Sequence, residues 1–143
     1  MFSENKNIRI IELGITPLVT VFNRKEKVSA YLNKGEVYDA SKAIDKNEFY
    51  KTGIPVHKNL LKAHTIIREE LGNALYLGSL YRTYQWEIFR GRSGNSQHVL
   101  AHAMDLNGVG LVDLILKAIE SKNELYHALR ALGVTAFGIY DWG

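Results

Sequence analysis

The stretch His57 to Leu71 constrains this chain more than any other. Leu60, His64, Ile67 and Leu71 recur at spacings of four, three and four, with Leu61 and Ala63 beside them. That period gives a helix with one apolar face. Gly72 follows where such a helix ordinarily stops. An apolar stripe of this kind has to be covered by another layer, so the rest of the chain must supply one. His64 lies inside the stripe and reads as a core-edge histidine with a local partner rather than a ligand.

Several segments can form that layer. Leu75 to Tyr81 reads as a strand that delivers Arg82 to its end, and Tyr84 to Phe89 reads as a short helix carrying Trp86. Val109 to Lys122 is a second amphipathic helix, with Leu111, Leu114, Ile115, Ala118 and Ile119 on its buried side. Asn123 is placed to cap a third helix, Glu124 to Leu132, ended by Gly133. His127 falls in that helix and reads as structural or solvent-facing. Val134 to Tyr140 reads as a last strand. The order predicts an α+β fold in which helices flank a small, mainly antiparallel sheet.

Residues 1–52 differ in texture. Short runs around Ile8 to Ile11, Leu18 to Phe22 and Val28 to Leu32 lean toward strand, and Asn33-Lys34-Gly35-Glu36 reads as a hairpin turn between Tyr31 and Tyr38. This predicts a β-rich N-terminal arm over 1–52 and a main domain over 53–143. The arm can pack on that domain, or serve as a contact for a partner or a second copy.

Composition narrows the function. With no cysteine among 143 residues, disulfides and thiolate metal sites are excluded, and any metal must be held by histidine and carboxylate. The net charge of +3 is mild, and no dense Lys/Arg run with interleaved aromatics appears, so nucleic acid is not an expected partner. The N-terminus lacks the pattern of a signal peptide, and no apolar run approaches the length of a membrane span.

The chemistry concentrates in Asn95-Ser96-Gln97-His98-Val99-Leu100-Ala101-His102-Ala103-Met104-Asp105. His98 and Asp105 are seven residues apart. Imidazole and carboxylate both suit zinc, and a catalytic zinc site takes three protein ligands and leaves one position open. Residues at that spacing point to opposite faces of a regular strand, so a backbone irregularity between them is required. His98 and His102 are four apart, as in the helical His-Glu-x-x-His motif, but Val99 stands where that motif needs glutamate. His102 therefore reads as a neighbour that can help bind substrate. Arg82 can grip a carboxylate or a developing oxyanion in bidentate fashion, or hold a structural ion pair.

Ser79-Leu80-Tyr81-Arg82-Thr83 followed by Ser96-x-His98 and Ala103-x-Asp105 resembles the signature of the zinc D-alanyl-D-alanine carboxypeptidases and L-alanyl-D-glutamate endopeptidases of peptidoglycan. The likeness runs over about residues 53–143. Leu80 and Ala101 stand where that family has glycine, and Ala101 has to manage the kink between the ligands. The resemblance implies that His98 and Asp105 ligate zinc, with Arg82 at the rim and Ser96 and Gln97 shaping the pocket and orienting His98. It implies hydrolysis of D-residue-containing wall peptides by zinc-activated water, by a protein made in the cytoplasm that acts at the bacterial cell wall or as a phage component. The family's third ligand, a histidine just beyond a Gly-x-Tyr stretch, is absent after Gly138-Ile139-Tyr140. Asp141 is near enough in sequence to serve as ligand or base. Three explanations stay open: residues beyond this sequence, His102 or His127 completing the site, or a non-catalytic relative that acts as a binding or structural module.

Overall fold

The computed structural model describes residues 18–139. The β-leaning run around Ile8 to Ile11, and Tyr140 and Asp141, lie outside the described residues. Ten elements follow in order: β1 (Leu18–Val19), α1 (Lys34–Ala40), α2 (Glu48–Thr52), β2 (Ile54–Pro55), α3 (Lys58–Leu71), β3 (Tyr76–Ser79), α4 (Tyr84–Phe89), β4 (Asp105–Asn107), α5 (Leu111–Ser121) and α6 (Glu124–Ala131). The class is α+β. Both sheets are antiparallel pairs, β1 with β2 and β3 with β4.

The helix ends follow local chemistry. The His57 ring caps α3 by accepting the Asn59 N–H, and Gly72 closes it in the left-handed conformation at φ 71°, where a side chain would be strained. Asn123 Oδ1 caps α6 through the Tyr126 N–H. The hairpin expected at Asn33 to Glu36 is instead the start of α1. Asn33 Oδ1 accepts the Glu36 N–H while the Glu36 carboxylate accepts the Asn33 N–H. This reciprocal pair satisfies two of the donors that a helix start leaves unpaired. In the described part of the expected β-rich arm, the regular structure is thus two short helices and a single two-residue strand.

Two cores result. Val21, Val37, Ala40, Phe49, Ile54, Val56 and Leu80 form one, so residues on both sides of position 52 share it. Ala63, Ile67, Leu75, Ile115, Ala118, Leu125 and Leu129 form the other, joining α3, α5 and α6. His64 lies deeper than a core edge, at 0% exposure, with Nε2 3.4 Å from the Leu75 carbonyl. The strand expected over 134–140 is not formed, since residues 134–139 have no regular structure. The strand beside Asp105 is β3 instead, in register Tyr76 to Asn107, Leu77 to Leu106 and Ser79 to Asp105, with an irregularity between Leu77 and Ser79.

Candidate metal centre

Three backbone segments meet at the site. The chain leaving α1 runs alongside the chain leaving β3, with Leu80 N–H donating to the Ala40 carbonyl, Lys42 N–H to Tyr81, and Thr83 N–H to Lys42. That ladder fixes the Leu80 carbonyl and the root of Arg82. The third segment is a single helical turn from Ser96 to His102, tied to the ladder where the Arg82 N–H donates to the His98 carbonyl over 3.3 Å.

The turn supplies the irregularity that the spacing demanded. His102 N–H donates to the Gln97 carbonyl and Ala101 N–H to that of His98, the hydrogen-bond pattern of a helix C-terminus closed by a left-handed residue. That residue is Ala101, at φ 62° and 3% exposed. Glycine suits such a position, so the exchange noted there falls on strained backbone. Leu80, the other exchange, is not among the non-glycine residues of positive φ, which in the described chain are Asn23, Ala101 and Lys122.

His98 and Asp105 converge. Nε2 of His98 lies 3.3 Å from Oδ1 of Asp105, and the other ring nitrogen, Nδ1, lies 2.6 Å from the Leu80 carbonyl oxygen. A carbonyl only accepts, so Nδ1 carries the proton, and in the neutral ring Nε2 presents a lone pair. A lone pair then faces a carboxylate oxygen, and the contact is attractive only with a cation between them, either a ring proton or a metal ion. Two ligands on a tetrahedral zinc at ordinary bond lengths lie about 3.4 Å apart, so the spacing of this pair matches that of two of the three protein ligands a catalytic zinc takes. Histidine ligands ordinarily donate the second ring nitrogen to a carbonyl or carboxylate, as His98 does to Leu80.

Asp105 is held below the usual carboxylate range. With a ring proton between it and His98, the hydrogen bond from His98 contributes most, opposed by burial and helped by the charges of His98 and Arg82 and by Ser79. Arg82 Nη2 lies 3.5 Å from Asp105 Oδ2. The Ser96 hydroxyl accepts the His98 N–H over 3.1 Å, so Ser96 shapes the turn.

His102 does not join His98 and Asp105. Its ring packs edge-on against His57 with centroids 5.2 Å apart, and its Nε2 is buried without a partner. Burial, and then the neighbouring His57, pull its pKa down. His127 is exposed on α6 and packs on Tyr126. Neither histidine completes the site, and no group of three His, Cys, Asp or Glu with metal-binding geometry occurs among the described residues. A cavity of about 690 Å³ opens beside Asp105, its lining including the polar Gln97, His102 and His57 and the apolar Ile67, Ile115 and Leu129. That volume is of the size that binds small ligands.

Sequence reasoning missed Glu87. It is buried on α4, and its Oε2 lies 3.6 Å from Arg82 and 3.3 Å from Arg92. In sequence it is flanked by an arginine five positions to either side, a spacing that matches no regular pattern, and the helical spacing to Arg90 points instead to an ordinary surface pair. Arg82, Arg90 and Arg92 also surround the Trp86 ring, with guanidinium carbons 5.7, 5.2 and 5.4 Å from its centroid.

No protein-family model, no curated protein and no solved structure matches this chain.

Proposed function

We propose that this protein is a zinc-dependent peptidase acting on the D-amino-acid-containing peptide stems of bacterial peptidoglycan, at the cell wall or as part of a phage. One observation carries the reading. His98 Nε2 and Asp105 Oδ1 face each other across 3.3 Å while Nδ1 is committed to the Leu80 carbonyl, an arrangement that asks for a cation. When bound, zinc supplies Lewis acidity toward a carbonyl and makes water acidic enough to react near neutral pH.

The chain's own residues do the rest. The Leu80 carbonyl holds the His98 ring in one tautomer, and the Ser96 hydroxyl fixes the turn that presents it. Arg82 adds a smaller share to the hydrogen bond from His98 in keeping Asp105 ionised, and stands ready to pair with a substrate carboxylate or a developing oxyanion. The cavity beside Asp105 offers apolar lining for a side chain of the peptide, with Gln97 and His102 among its polar residues. Asp141 remains a proposed acid–base group on its nearness in sequence.

Zinc content and affinity, measured for the chain beside its His98→Ala and Asp105→Ala variants, test the reading. Wild type should bind one zinc, lose it in either variant, and cleave peptidoglycan stem peptides in a chelator-sensitive way. Stem-peptide hydrolysis that survives both substitutions would refute it.

A second reading, a non-catalytic binding or structural module, is favoured by one observation: no third ligand joins His98 and Asp105 among the described residues. It predicts co-sedimentation with peptidoglycan that is indifferent to chelator and to both substitutions, and no hydrolysis. Binding that depended on metal would exclude it.

A further inference from the structure

The proposed chemistry uses Arg82 but not the carboxylate behind it. Glu87 is 1% exposed, and a carboxylate so buried is costly unless it is paired. Its partners are Arg82 Nη1 at 3.6 Å and Arg92 Nη1 at 3.3 Å, while Arg82 Nη2 reaches Asp105 Oδ2 at 3.5 Å. One guanidinium therefore bridges two carboxylates, lies over Trp86, and keeps Nε buried without a hydrogen-bond partner. Separations of this length are too long for a tight bidentate fork. Arg82 is balanced between two anions and committed to neither.

We propose that Glu87 is a positioning residue of the site and acts through Arg82. It draws part of the guanidinium charge away from Asp105 and holds the group where it engages Oδ2, leaving Oδ1 to face His98. Without the Glu87 charge, Arg82 falls wholly to Asp105, where a full positive charge opposes a divalent cation. The metal half of this inference rests on the zinc reading above; the positioning half does not.

The test uses the full chain in four forms: wild type, Glu87→Gln, Arg82→Gln and the double variant. Zinc affinity is read by competition with a chromophoric chelator. Glu87→Gln should weaken zinc about tenfold, the low end for residues that orient metal ligands, and should have no effect where Arg82 is already glutamine. Equal weakening in both backgrounds would mean that Glu87 only supports the fold, and would overturn the proposal. The second readout needs no metal. The chemical shift of the Arg82 Nε–H signal in a nitrogen–proton NMR spectrum, identified by its loss in Arg82→Gln, should change in Glu87→Gln, where the guanidinium moves toward Asp105, and change far less in Arg92→Gln. An unchanged signal in Glu87→Gln would overturn the positioning role. A wild-type chain that binds no zinc would overturn the peptidase reading instead, with the NMR result still deciding what Glu87 does.

Discussion

Ala101 offers the sharpest test of the site's backbone. It is buried, at 3% exposure, and sits in the left-handed region at φ 62°. Substitution by glycine changes three terms. Relief of the left-handed strain gains about 1–2 kcal/mol. Loss of a buried methyl costs about 0.8 kcal/mol, and the freer unfolded chain costs about 0.4–1 kcal/mol. Gain and losses are of equal size, so Ala101→Gly should leave stability within about 1 kcal/mol of wild type. Ala118 provides the contrast. It is buried to the same degree, at 2% exposure, within α5. There the same substitution forfeits about 1 kcal/mol of helix propensity and about 0.8 kcal/mol of burial, with no strain to relieve. Urea unfolding separates the two: at a slope of about 2 kcal/mol per molar, Ala118→Gly should lower the midpoint by about 1 M while Ala101→Gly barely moves it. Equal losses in the two variants would refute the claim that the turn between His98 and Asp105 is held against strain.

Two further outcomes are expected. Burial pulls the His64 pKa down, with the Leu75 carbonyl and Glu36 opposing and Arg68 assisting. The native ring therefore stays neutral where the unfolded one takes a proton, and stability present above about pH 6.5 should fall as pH drops below it, by at most about 1.4 kcal/mol per unit. Urea midpoints between pH 7.5 and 5.5 should show a shallower fall in His64→Leu, and an identical slope would exclude His64 as the cause. A methyl group on Gly108 would lie 2.8 Å from the Ala74 carbonyl oxygen, a backbone atom with little room to yield. Gly108→Ala should destabilise by about 1–3 kcal/mol, and a wild-type melting temperature would contradict that.

The helices were legible because their signals are local. The period of α3, its terminal Gly72 and the capping Asn123 each depend on neighbours within a turn or two. The start of α1 was misread because Asn, Gly and Glu serve turns and helix caps alike. The reciprocal bonds of Asn33 and Glu36 decide between those uses, and composition does not. Val134 to Ile139 carries strand-favouring residues but finds no partner strand among the described residues, since β3 pairs with β4. In the site, the spacing of His98 and Asp105 required a kink, and the glycine exchange marked Ala101 as its seat. Glu87 gave no such signal, because its pairing with Arg82 and Arg92 depends on how the segments on either side of α4 fold back.

The ladder between residues 40–42 and 80–83 also has a consequence for how the protein is made. His98 and Asp105 are neighbours in sequence, but the carbonyl that sets the His98 tautomer belongs to a segment mounted on residues some forty positions earlier. A chain leaving the ribosome presents 40–42 first, then 80–83, then the turn at 96–102, which is also the order in which each piece needs the one before it. A fragment beginning at residue 53 would therefore carry both His98 and Asp105 yet lack the backbone partner, residues 40–42, that steadies Leu80.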